Sequence, residues 1–144
     1  MSFDLKIIKG DLVLNTGKLQ TVVDSEKLIQ DILKICLTTA GTNPINPWYG
    51  SFISRTIIGN PNYSSMLVQI AKSQLNTALE NLKSLQDLQI KSFQVVSADE
   101  QISVVRDISI IRNQLDPRLY DVRISVITKG TKPISTAFKV NTIS

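Results

Sequence analysis

Apolar and polar positions change their spacing twice along the chain, and the changes divide it into three stretches. Residues 3 to 23 alternate in short runs, Leu5-Lys-Ile7, Leu12-Val-Leu14 and Leu19-Gln-Thr-Val22, broken at Gly10-Asp11 and Asn15-Thr-Gly17. Gly and Asn tolerate the positive φ that tight turns need, so this punctuation predicts an N-terminal β-hairpin. From Asp24 the period lengthens to that of a helix. Leu28, Ile32, Ile35 and Thr39 fall on one stripe with Ile29, Leu33, Cys36 and Leu37 beside it, an apolar face wide enough to need cover on more than one side. Asp24 or Ser25 is the expected cap, and Gly41 the expected left-handed residue past the helix end. Pro44 and Pro47 then stiffen a turn that leads to Trp48-Tyr49-Gly50.

Ser51 to Ile58 predicts a helical turn carrying Phe52, Ile53 and Ile57, stopped by Gly59-Asn-Pro-Asn62. The longest helical signal covers residues 63 to 88, where Leu67, Ala71, Leu75, Ala78, Leu82 and Leu85 recur at spacings of four and three. The repeat is short, Ala holds two stripe positions and flanking charges are sparse, so packing within the domain is expected rather than a coiled coil. From Leu88 the period becomes two, predicting strands over Leu88–Val96, Ile102–Ile110, Tyr120–Val126 and Ile134–Val140. No long internal repeat stands out. Hairpin, two main helices and then a C-terminal antiparallel meander ending in a hairpin define an α+β fold, because helices and strands are segregated along the chain. The 144 residues are expected to form a single domain.

Composition narrows the chemistry. The chain has no histidine and one cysteine, Cys36 on the apolar stripe of the first helix, so a zinc cluster, an internal disulfide and the commonest general base are all excluded. Six glycines are spread singly and assemble neither a P-loop nor a dinucleotide fingerprint. The start, MSFDLKIIKGD, lacks the pattern of a signal peptide, and no apolar run is long enough to span a bilayer. Paired carboxylates are the remaining catalytic arrangement. Glu80 and Asp87 lie two turns apart on the solvated side of a helix, and Asp99-Glu100 sit in an expected turn where both would hydrate, so no catalytic residue, cofactor or metal is expected. The net charge of +4 is uneven: residues 1 to 102 carry nine basic and nine acidic side chains, and 103 to 144 carry seven and three. Beyond Asp121 only Arg123, Lys129, Lys132 and Lys139 are charged, which invites an acidic partner.

Gly17, then Leu37, Thr39, Gly41, Pro47, Tyr49 and Gly50, and finally Asp121 to Thr131 with Phe138-Lys-Val140 occur in an order that resembles the baseplate wedge or sheath-initiator family of contractile phage tails. That family includes the T-even phage wedge protein and baseplate assembly protein W, and some members carry a lysozyme-like label. The resemblance implies a structural virion protein of the tail baseplate, assembled in the host cytoplasm and not an enzyme. Its implied partners are the tail sheath protein, other wedge subunits and the tail tube or hub. It further implies that the last hairpin offers a strand to the first sheath ring. One departure is plain: the family commonly carries Glu-Pro-Arg after the long helix, whereas this chain reads Leu85-Gln-Asp-Leu-Gln-Ile90, and Asp116-Pro-Arg118 comes a strand too late.

Six residues are therefore candidates for partner binding: Trp48, Tyr49, Arg123, Lys129, Lys132 and Lys139. Trp48 and Tyr49 have two readings, as a plug in the junction of the helices or as rigid aromatics presented to a neighbouring subunit. The basic terminal strands likewise read either as an edge blunted by lysine or as a strand-pairing surface. A nucleic-acid-binding module is the alternative from another class, motivated by a sequence pI near 9.3. It is disfavoured because Phe138 is alone where single-strand binders cluster aromatics.

Overall fold

A computed structural model describes residues 3–8, 11–15, 17–53, 65–116 and 118–141. It is an α+β protein in which two helices lie side by side against one face of a three-stranded antiparallel sheet.

The N-terminal β element is more elaborate than one hairpin. It has three two-stranded arms: β1 (Asp4–Leu5) pairs with β6 (Thr21–Val22), β2 (Ile7–Ile8) with β3 (Asp11–Leu12), and β4 (Leu14–Asn15) with β5 (Lys18–Leu19). Where the arms meet, Lys6 N donates to Gln20 O (2.8 Å), Gln20 N to Val13 O (2.9 Å) and Val13 N to Lys6 O (3.1 Å), closing a triangle. The three corners are seven residues apart, and so are Leu5, Leu12 and Leu19, which pair within their own arms with Thr21, Ile7 and Leu14. A seven-residue repeat thus underlies the element, too short and too degenerate to stand out as a repeat in the sequence.

The first helix, α1 (Asp24–Leu37), holds that triangle through Gln30, whose Oε1 accepts from Ile7 N (2.9 Å) and whose Nε2 donates to Leu5 O (2.7 Å) and Asp4 Oδ2 (2.9 Å). Lys34 of the same helix pairs with Asp4. The expected caps differ. Val23 occupies the cap position without a side-chain bond, and Asp24 has φ 54°. Glu100 and Ser97, distant in sequence, serve this end instead: Glu100 Oε1 accepts from Asp24 N (3.4 Å), and Ser97 Oγ donates to Asp24 Oδ1 (2.8 Å). At the other end Thr38 closes the helix on Lys34 O through its backbone N–H (3.0 Å) and its Oγ1 (2.6 Å). Gly41 (φ 90°) belongs to the next turn, where its N–H donates to Pro47 O (2.8 Å).

The corner after α1 returns the chain onto the helix end. Ser51 N donates to Thr38 O (2.8 Å), Ala40 N to Ser51 O (3.1 Å), and Ser51 Oγ to Cys36 O (2.6 Å). Gly50 is buried with φ 117°, and a Cβ there would lie 2.5 Å from Thr38 O. The close approach and the backbone angle both demand glycine. The helical turn expected from Ser51 to Ile58, with its stop at 59–62, lies outside the described residues beyond Ile53.

The second helix, α2, runs Ser65–Lys91. Ala71, Leu75, Ala78, Leu79 and Leu82 are buried against α1 and the sheet, in keeping with packing inside the domain. The strand expected from Leu88 does not form. The helix continues because Gln86 and Gln89 extend its stripe, and it ends where Gln94 N reaches back to Gln89 O (3.1 Å) through left-handed Phe93 (φ 62°). A 3₁₀ turn, Ala98–Glu100, leads into the sheet of β7 (Ile102–Arg112), β8 (Leu119–Thr128) and β9 (Pro133–Asn141), in the order β7-β8-β9. The meander therefore has three strands, and β7 runs without a break from Ile102 to Arg112. Ile108, Ile110, Tyr120, Val122, Ile124, Val126, Ile134 and Val140 complete the core.

Two stability predictions follow from the corner and the Asp4–Lys34 pair. Gly50→Ala should cost about 2 to 4 kcal/mol by urea titration, because strain and overlap add. Gly17→Ala, at φ 78° but with nothing within 4 Å of the new Cβ, should cost only about 1 kcal/mol. Burial by itself would raise the Asp4 pKa, but hydrogen bonds from Lys34 and Gln30 outweigh it and hold the carboxyl below 3.8. Stability from that shift is present above 3.8 and lost as pH falls through the folded-state value. Asp4→Asn should accordingly lower the urea midpoint near neutrality, with the gap to the parent protein closing in acid.

Candidate functional site

Antiparallel ladders alternate residues whose backbone groups face the partner with residues whose groups face away. Along β8 and β9 that alternation is set by the connecting turn, where Thr128 N donates to Lys132 O (3.0 Å), making Ile127–Pro133 a non-hydrogen-bonded pair. Counting from there, Ile134, Thr136, Phe138 and Val140 bond to β8. Ser135, Ala137 and Lys139 turn their N–H and C=O groups to the outer edge. Pro133, which has no N–H, falls in the same outward register, the position a strand tolerates for proline. Among the described residues no hydrogen bond reaches the outward groups of Ser135, Ala137 or Lys139.

The two sheet edges differ. β9 pairs with β8 through nine consecutive partners, Leu119↔Asn141 to Ile127↔Pro133, without a register shift. β7 carries two irregularities, between Ile102 and Val104 and between Val105 and Asp107, and bulges of this kind blunt an edge. The regular edge is also lined by small side chains at Ser135 and Ala137, with Lys139 beside them.

The tip of the last hairpin is not a free arm. Lys129 N donates to Gln101 O (3.0 Å), and the Lys129 ammonium lies 3.4 Å from Asp87 on α2. A Cβ on Gly130 would meet Asp99 Oδ1 at 2.5 Å, so the turn rests on the 3₁₀ segment. Among the described residues, what stays open is the flank of β9.

The six candidate residues separate into three groups. Tyr49 is half-buried against the core, while its neighbour Trp48 is 43% exposed, with the rings edge to face at 6.4 Å between centroids. Tyr49 is thus the member that packs toward the core, and Trp48 the member that stays exposed. Burial pushes the Tyr49 phenol up from its ordinary pKa. Lys129 and Lys132 stand at the hairpin turn, Lys129 paired with Asp87 and Lys132 exposed. Arg123 and Lys139 stand together on the outer face of the sheet, diagonal neighbours across β8 and β9 at roughly 7 Å between Cβ atoms.

The carboxylates behave differently from one another. Glu80 and Asp87 are exposed on α2. Glu100, expected to hydrate in a turn, is instead 1% exposed, and its oxygens accept from Asp24 N (3.4 Å) and Ser97 N (3.3 Å). Its backbone O accepts from Gln86 Nε2 (2.9 Å), and Gln86 Oε1 accepts from Ile102 N (2.9 Å). Ser97-x-x-Glu100 is a capping box and was the available signal for this role. Cys36 is buried, and burial pushes its thiol up to about 12, which makes it a core residue and not a nucleophile.

A scan against protein-family models finds none that matches the chain, and a search of curated proteins returns no match. Hydrogen exchange followed residue by residue should read the strand register directly. The amides of Ser135, Ala137 and Lys139 should exchange much faster than those of Thr136 and Phe138, and equal protection along β9 would contradict an open edge.

Proposed function

We propose that this protein is a structural subunit of a contractile-tail baseplate that starts sheath assembly by pairing the outer edge of β9 with a strand of the first sheath ring. The observation that carries the reading is the regular, unengaged β9 edge beside a bulged β7 edge. A partner strand laid there would form several main-chain hydrogen bonds. Each has a net value of about 1 kcal/mol, and they would resist a pull along the strand as a set. Small side chains at Ser135 and Ala137 leave room for the partner, and side-chain alternation sets its register.

The residues that carry the family resemblance are compatible with this role. Gly41, Pro47, Gly50 and the Thr39–Ser51 bridge build the corner that closes α1, and so contribute to the rigid body behind the sheet. Trp48, exposed at that corner, is the candidate contact to a second baseplate subunit. The nucleic-acid alternative draws less support: Tyr120 is 1% exposed and Phe138 half-buried, which leaves the terminal sheet without a stacking platform.

Deleting the last strand would remove the buried Ile134 and Val140 and test folding rather than function. Ala137→Pro is cleaner, because it removes an outward N–H without breaking a β8–β9 bond. Tails assembled with the Ala137→Pro protein should lack sheath when viewed by electron microscopy, while the isolated protein keeps its folded spectrum. Full-length sheaths on such tails would refute the reading.

A further inference from the structure

The outer face of the terminal sheet holds a hollow of about 430 Å³ whose lining includes Ser109, Ile111, Asp121, Arg123, Ala137 and Lys139. Arg123 sits at its centre on β8, directly between Ser109 of β7 and Ala137 of β9. Both neighbours are too short to cover a guanidinium. Asp121 and Lys139 face each other across the next pair toward the end of the sheet, with Ile111 on the far side of Asp121.

A sheet face open to water is ordinary in an antiparallel sheet, so exposure alone signifies little. The arrangement of charges is less ordinary. Asp121 faces Lys139 and flanks Arg123 along β8, and Asp107 lies diagonal to Arg123 on β7, yet among the described residues neither acid forms a salt bridge with either cation. The two oxygens of Asp121 instead accept from Asn113 Nδ2, at 3.4 and 3.2 Å. Among the described residues Arg123 and Lys139 have no hydrogen-bonding or ion-pair partner for their side chains. An amide from the β7–β8 connection thus holds the Asp121 carboxylate, and the two cations keep their donors free for another acceptor.

We infer that this hollow is a seat for one carboxylate side chain of a partner protein, gripped by the Arg123 guanidinium with Lys139 beside it. Arginine's planar fork matches a carboxylate with two parallel bonds, and the small flanking residues let the acid approach in the plane of the fork. Ile111, 60% exposed, offers an apolar wall to the methylenes of a glutamate. The charges of the hollow, two positive and one negative, suit a single carboxylate. A phosphodiester chain would meet Asp121 and would find no aromatic surface on which to stack bases. The seat is formed by side chains on the sheet face, whereas the edge is formed by backbone groups of β9; Ala137 and Lys139 belong to both, and the seat does not require the partner to be a sheath subunit.

The test titrates the purified protein with an acetylated, amidated hexaglutamate peptide, followed by ¹H–¹⁵N NMR including the arginine Nε–Hε signals. Shifts should concentrate on Arg123, Ser109, Ile111, Ala137 and Lys139. Arg123→Gln should weaken binding about tenfold, Arg123→Lys should weaken it less, and Lys132→Gln should leave it nearly unchanged. Ser135→Pro, which removes an outward N–H of the edge at a residue outside the lining of the hollow, should leave peptide binding in place, so the edge and the seat fail separately. Shifts spread evenly over Lys72, Lys129 and Lys132, an unaltered affinity in Arg123→Gln, or tighter binding of a random single-stranded DNA at the same residues would each overturn the assignment.

Discussion

Gln86 joins the pieces of this protein that no local rule would bring together. Its amide spans the turn into the sheet, donating to the carbonyl of Glu100 and accepting from the N–H of Ile102, in the manner of a short length of strand supplied by a helix. Glu100, fixed in this way, turns its carboxylate toward the first N–H of α1. One buried amide and one buried acid thus set α2, the start of β7 and the beginning of α1 relative to each other. The constraint is strict, because a buried polar group left without its partner costs about 1 to 3 kcal/mol. Either all these bonds form together or the junction does not close.

With the junction closed, the positions of the remaining elements are consequences. The two helices cover one sheet face, which leaves the other face and both edges to be managed by strand chemistry. Bulges spoil the β7 edge, and the hairpin turn is tied down by Lys129 and Gly130 against α2 and the 3₁₀ segment. The flank of β9 is left regular. Gln30 and Lys34 fasten the three-armed β element to α1, so that element is carried by the same helix whose C-terminal end is closed by the Gly50 corner. The open edge and the exposed Trp48 are therefore mounted on a body held by buried polar bonds as well as by its apolar core.

The outer sheet face follows a different logic from the interior. Inside, polar groups are matched to one another. Outside, Asp121 accepts from the Asn113 amide and forms no ion pair with Arg123 or Lys139 among the described residues. Charges kept available in a concave surface and charges satisfied in a core are opposite uses of the same residue types, and the cross-strand register decides which use applies.

The α+β class, the two helices, the order of the last three strands and the membership of Cys36 in the core are all legible in the residue pattern. Those features rest on periodicity and on turn residues, and both are local. The limits of that reading are equally specific. The period-two run from Leu88 looked like a strand because a polar Gln86 hid the continuation of the helical stripe. Glu100 looked solvated because its partners, Asp24 and Gln86, lie 76 and 14 residues away. The hairpin punctuation near the start was sound, but three arms closing on one triangle require backbone bonds among Lys6, Val13 and Gln20 that no pairwise pattern announces. Arg123 and Lys139 were legible as basic residues. That they share a hollow follows from strand register, which is a property of the folded sheet and not of any one strand.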